Sequence, residues 1–277
     1  MKHFFPLLIL LSLATYLTAQ NITDWKKEKL KGKVKSFTLL ENYRYKKDDK
    51  FTEWGILYNK KYAFDNTGRY TEYTELTAKG DLSYKIKYVY NAKEKIATIS
   101  YFDKDEKPTI KKIWTYNNSG QLVQMQEYTK DNKADWRYIY TYNTNGNRVM
   151  QESYKPDSTL YSKTTYTFDD KGNETGYLLQ TKGYANSGEK YAWDDKGNKT
   201  ELQMLNGKNE VSFRTVSIYD ANGNVIEEQR YKGLETKLSY KTTFTYEYDA
   251  KGNWIKRTQY TMDGIEFDIA ERKIVYY

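Results

Sequence analysis

The chain has 277 residues, a net charge of +8, 17% aromatic residues including 30 Tyr, 3 Pro and no Cys. A mean hydropathy of −0.94 could mean disorder, but disordered chains are poor in aromatics and rich in Pro; this composition suits strands with one buried and one wet face. The single His is His3. The chain beyond it can build no Ser-His-Asp triad, Cys-His pair, His-ligated metal site or disulfide.

Residues 1–19 read as a secretory signal peptide: Lys2 is the basic start, Phe4 to Leu13 the apolar run, and Leu17-Thr18-Ala19 the cleavage site before Gln20. No Cys follows for lipid attachment, and no later segment is apolar enough to span a membrane. An exported protein is expected, in the periplasm, at the cell surface or secreted, and not a lipoprotein. Residues 20–45 form an N-terminal cap. Within it Asn21 to Leu30 reads as a short helix, and Lys33 to Tyr45 as an opening strand.

Residues 46–277 are periodic. Eight segments share one pattern: FDNTGR (64–69), YNAKEK (90–95), YNNSGQ (116–121), YNTNGN (142–147), FDDKGN (168–173), WDDKGN (193–198), YDANGN (219–224) and YDAKGN (248–253). The key position is Gly68, Glu94, Gly120, Gly146, Gly172, Gly197, Gly223 and Gly252, at spacings of 26, 26, 26, 26, 25, 26 and 29. Asp or Asn opening a turn and Gly three residues later is the pattern of a type I turn with a Gly bulge, a common hairpin connection. Glu94 breaks it, and that hairpin should be the loosest or differently turned.

The flanks alternate as strands do. Four residues before the key position every repeat is aromatic, from Phe64 to Tyr248. Six before, seven of eight are, from Tyr62 to Tyr246, with Ser217 the exception. The two-residue offset puts both columns on one face. Three residues after the key position lies an apolar or β-branched column (Thr71 to Ile255), and eight after it a mostly aromatic one (Leu76 to Tyr260). A second turn signal falls halfway through each repeat, as at Lys79-Gly80-Asp81, Asn206-Gly207 and Asp263-Gly264. Two strands per repeat give about sixteen, and Glu266 to Tyr277 alternates like a closing strand. The expected fold is all-β: a long antiparallel meander of 26-residue hairpin repeats forming a curled or twisted sheet, open or partly closed. One repeat is too short to fold alone, so neighbours must share the aromatic columns.

These segments resemble the YD repeats of the Rhs and teneurin type, a Tyr-Asp, two variable residues, Gly-Asn and a later Tyr. YDANGN with Tyr231 and YDAKGN with Tyr260 match best. The resemblance covers roughly residues 46–277. It implies a continuous curling antiparallel sheet and a surface or exported setting, with carbohydrate binding or cell contact. The chain has no Asp-Pro pair and no toxin tail, so it reads as a small stand-alone exported bacterial member.

Asp169-Asp170 and Asp194-Asp195 could pair for glycoside hydrolysis, and Asp220, Asn222 and Asn224 alternate like calcium ligands. All sit where turn capping already calls for Asp or Asn. The expectation is no enzyme and no cofactor. Trp25, Trp54, Trp136 and Trp254 fall outside the two main aromatic columns and are the candidates for exposed ligand contacts. A glycan or an envelope protein is the expected partner, and nucleic acid is not. The alternative function is a structural or protein-interaction scaffold at the cell surface. Oligomeric state stays open.

Overall fold

The computed structural model describes residues 23–47 and 50–277. The proposed signal peptide, residues 1–19, lies outside them. A four-residue helix α1 (Asp24–Lys27), capped by Thr23, precedes twenty strands. These are β1 (Val34–Tyr43), a small ribbon of β2 (Lys46–Lys47) and β3 (Lys50–Phe51), β4 (Gly55–Phe64), β5 (Tyr70–Leu76), β6 (Leu82–Tyr90), β7 (Ile96–Phe102), β8 (Pro108–Tyr116), β9 (Leu122–Thr129), β10 (Ala134–Tyr142), β11 (Arg148–Tyr154), β12 (Leu160–Phe168), β13 (Glu174–Thr181), β14 (Ser187–Trp193), β15 (Lys199–Leu205), β16 (Val211–Tyr219), β17 (Val225–Lys232), β18 (Leu238–Tyr248), β19 (Trp254–Tyr260) and β20 (Glu266–Tyr276). The expected helix is thus four residues long, and Asn21 lies outside the described residues.

The sheet closes. β4 to β20 pair antiparallel in sequence order, and β1 pairs with β4 on one side (Phe37↔Tyr62) and β20 on the other (Phe37↔Ile274). The result is an 18-stranded ring. Sixteen strands come from the repeats; the opening and closing strands complete it and leave no free edge. The sequence pattern left closure open because pairing between the two ends has no local signal. At about 4.8 Å per strand and a tilt near 40°, the ring has a circumference of roughly 110 Å, too wide for one layer of side chains to fill a round interior.

The turns are as the pattern predicts. Gly68 N–H bonds to Asp65 O at 3.0 Å, and Asp65 Oδ1 accepts from the Thr67 and Arg69 amides. Asp194, Asp220 and Asp249 cap their own turns in the same way. Glu94 keeps the standard turn, holding the left-handed conformation at φ 59°. In the halfway turns Glu106, Asn132, Ser158 and Asn209 do the same. Asn209, not Gly207, is therefore the left-handed residue of its turn.

Each of the eight motif hairpins slips register at one position, between the residues five and four before the key position, as at Val89/Tyr90 and Ile218/Tyr219. This bulge explains the motif tyrosine. Its hydroxyl reaches back one repeat to the carbonyl two residues after the previous key position: Tyr90 to Tyr70, Tyr116 to Ile96, Tyr142 to Leu122 and Tyr219 to Lys199, at 2.7–2.9 Å. Trp193 does it with its indole N–H, to Glu174 O. The column three residues after the key position is skipped by the ladder at this bulge, and Thr71 and Ile226 there are exposed rather than core.

The two main aromatic columns share a face with the buried residues Phe37, Phe64, Tyr70, Tyr73, Ile86 and Ile99. The N-terminal segment lies on this face. Leu30 and Val34 pack on Phe37, Phe64 and Tyr70, and Glu28 accepts from the Tyr70 hydroxyl. Lys29 and Lys31 reach the distant turns at Gly223 O and Asn253 Oδ1. The segment therefore straps part of one end of the barrel, and the aromatic face is the inner one. The outer face is polar, with cross-strand pairs such as Lys241–Glu227 at 2.7 Å and Arg214–Glu201 at 3.4 Å. The later Tyr of the motif belongs to this outer face: Tyr154 and Tyr231 sit under Arg137 and Arg214, at 5.0 and 4.3 Å.

Candidate functional site

Buried apolar side chains occur on the N-terminal segment, β1, β4–β7, β9 and β20, and none is found on β10–β19. The inner column changes character there. Five residues after the key position come Tyr73, Ile99 and Met125, then Gln151, Tyr177, Leu202, Glu228 and Arg257. Along β11–β15 the inner face alternates half-buried rings with hydrogen-bonding groups. Tyr166 is opposite Tyr177, Tyr177 opposite Glu189, and Gln151 opposite Thr164. Tyr191 donates to the Glu189 carboxylate, and Lys199 lies 3.3 Å from the Tyr191 ring centre. Arg148 covers Tyr140 and Tyr166 at 5.4 and 4.8 Å. Burial pushes the Tyr177 phenol up to about 12, with Glu189 adding to it, so it stays a neutral donor at ordinary pH. Burial also lowers the Lys199 ammonium.

Beside this stretch the wall creases. β13 and β14 pair over four residues only, Gly176↔Lys190 to Leu179↔Ser187. A Cβ at Gly176 would lie 2.3 Å from Glu189 O, and one at Gly188 2.4 Å from Tyr177 O. Two glycines let the backbones approach this closely. The one 25-residue repeat spans this crease.

Where the ring closes, β1, β19 and β20 bury a charged cluster. Arg257 Nη2 donates to Glu41 Oε1 at 2.6 Å and Asp268 Oδ1 at 3.2 Å, and Gln259 also donates to Asp268. Burial pushes Glu41 up to about 7, against the pull of Arg257. Arg272 lies between Trp254 (3.6 Å) and Phe37 (4.8 Å) and pairs with Glu28 at 3.4 Å; desolvation lowers it to about 10, so it remains charged.

The structure separates the four candidate tryptophans. Trp25 is half-buried under Gly68 and donates to Val34 O at 2.8 Å. Trp254 is half-buried under Arg272, and Trp136 meets Tyr161 edge-on at 5.1 Å. Trp54 alone is exposed, with the Arg44 guanidinium 4.8 Å above its ring. Gly68, Gly120, Gly146, Gly172, Gly197, Gly223 and Gly252 all hold positive φ at their turns. Asp169 and Asp194 are turn caps, while Asp195 is exposed and pairs with Lys171. Position within the columns did not mark Gln151, Thr164, Tyr177 and Glu189; the change to polar residues at one column position after the third repeat was the available signal.

No family model and no curated protein matches the chain. Among solved structures it is similar to a porin-like protein from Bacteroides uniformis, at 14% identity and a TM-score of 0.44, covering 87% of this chain and 96% of that one. A porin-like protein from Bacteroides vulgatus matches at 12% identity and a TM-score of 0.42, covering 88% and 98%. A TcdB2–TccC3–Cdc42 structure matches at 14% identity and a TM-score of 0.39; it covers 86% of this chain, which spans 16% of that one. Among the described residues no helix is long and apolar enough to cross a membrane.

Proposed function

We propose that the chain is a non-enzymatic, exported envelope protein of the YD-repeat type that binds carbohydrate on the inner face of β11–β15. The observation that supports this is the row of half-buried rings, Tyr166, Tyr177 and Tyr191, set among Gln151, Thr164 and Glu189, with Arg148 and Lys199 over the first and last of the rings. Flat rings match the C–H faces of sugars. The amides, hydroxyls and carboxylate between them supply the directional bonds that fix a sugar in place. No positioned nucleophile or base enters this reading.

The test is binding of the purified protein to a broad glycan panel, read by fluorescence of Trp193 beside Tyr191. Saturable binding lost in Tyr177→Ala and weakened about tenfold or more in Glu189→Gln supports the reading. No binding across the panel sinks it and moves the assignment to a surface scaffold.

A further inference from the structure

The ladder registers join one row of inner-face residues across five strands. Tyr166 of β12 is opposite Tyr177 of β13, and Tyr177 opposite Glu189 of β14. Glu189 is opposite Met204 of β15, and Met204 opposite Phe213 of β16. Direct cross-strand partners share a face, so Met204 and Phe213 line the interior together with the residues of the proposed glycan site. Four strand spacings make the row about 19 Å long. Its chemistry changes along that length, from two phenols through a carboxylate to a thioether and a hydrocarbon ring. The row also climbs the barrel. Tyr166 lies two residues from the motif-turn end of β12, and Phe213 two residues from the halfway-turn end of β16. The strap lies at the motif turns, so the apolar end of the row is the one toward the open mouth.

That apolar end stands exposed. Met204 is 44% accessible and Phe213 58%. The repeat does not call for them. The equivalent pair in β11 and β12 is Ser153 and Ser162, also direct partners, whose hydroxyls hydrogen-bond to each other. Two serines satisfy the wall there, so the wall needs no apolar pair at these positions. Leu202, opposite Tyr191, adds to the apolar surface beside Met204. Lys232, the other partner of Phe213, ends the row. A flexible thioether next to a ring makes an adaptable apolar surface.

We infer that the ligand is a glycoside with a hydrocarbon arm. Its sugars lie on Tyr166, Tyr177 and Tyr191, and its alkyl aglycone lies along Met204 and Phe213 toward the open mouth. This rests on the glycan reading and extends it by naming what the sugar carries. A purely polar glycan leaves the apolar half of the row in water. A hydrocarbon alone would take the Glu189 carboxylate and the phenols out of water without giving them partners. One amphipathic molecule serves both halves of a continuous row.

The experiment is calorimetric titration of the purified protein with the methyl and octyl β-glycosides of glucose, galactose, mannose and N-acetylglucosamine, each below its micelle concentration. An octyl glycoside should bind about tenfold or more tightly than the methyl glycoside of the same sugar. In the double variant Met204→Ser and Phe213→Ser, both exposed and so compatible with folding, this ratio should fall to near one at an unchanged melting temperature. Ile218→Ser, which removes an exposed apolar side chain from the outer face of the same strand, should keep the ratio. The inference is overturned if the ratio is near one in the unchanged protein, if the double variant keeps it, or if neither series binds. Methyl and octyl forms binding equally would leave the glycan reading standing without it. Octyl binding that survives Tyr177→Ala and is displaced by octanol would overturn both, since the site would then hold hydrocarbon alone.

Discussion

The wall from β4 to β9 and the wall from β10 to β19 are made of the same repeat, yet only the first is packed. Both have the turn, the bulge and the tyrosine that bridges repeats. The first differs in two ways. Its inner column carries Ile86, Ile99 and Met125 where the second has Thr164, Gln151 and Glu228, and beside it the strap adds Trp25, Leu30 and Val34 as a second layer. A repeat thus specifies the wall, while burial needs something to set against it. A ring of 18 strands cannot supply that from its own side chains alone.

The largest test of this comparison pairs Phe37→Ala with Tyr191→Ala. Phe37 is fully buried, its ring 4.5 Å from that of Tyr62, and its loss should cost about 3–5 kcal/mol. Tyr191, half-buried on the unpacked wall, should cost only about 1–2 kcal/mol. Equal costs by chemical denaturation would mean that both walls are packed alike. Gly188→Ala should cost about 1–3 kcal/mol, because its Cβ would run into Tyr177 O. Amides of β13 and β14 should then exchange faster than those of β6 and β7.

The seam where β1 closes the ring carries a pH signature. Glu41 holds its proton up to about 7 in the folded chain, against an ordinary 4.5. The folded state binds more protons in that window, so this group's contribution to stability declines as pH rises from 4.5 to about 7 and is flat above it. The slope is at most about 1.4 kcal/mol per pH unit. Glu41→Gln should lack this decline in denaturation curves taken across the window; a parallel decline in both proteins would assign it elsewhere.

The shared scaffold gives the smaller effects. Tyr142→Phe removes the bond to Leu122 O and should cost about 1 kcal/mol. Phe168 occupies the same motif position without a hydroxyl, so Phe168→Tyr should gain a similar or smaller amount. Glu94→Gly relieves a left-handed side chain and should stabilise by roughly 1 kcal/mol. Its exposed pair with Arg69 at 3.7 Å contributes little against that.

The sequence by itself determined the strands, the turns and the shared face of the aromatic columns, because each rests on interactions within one repeat or between adjacent ones. Asp65 capping its own turn and Tyr90 reaching Tyr70 are local, and their spacing is written in the chain. It also marked strands over Lys33 to Tyr45 and Glu266 to Tyr277, which the structure bounds at Val34–Tyr43 and Glu266–Tyr276. Only the tertiary structure decided that these two pair and close the ring, since the contact joins residues more than 200 positions apart. Closure then fixed which face turns inward, which left Tyr231 outside and Trp25 and Trp254 within packed surroundings. It also turned Met204 and Phe213, each unremarkable in its own strand, into the interior beside Tyr177 and Glu189. Inside and outside, and one end against the other, are properties of a closed surface. No repeat of 26 residues contains them.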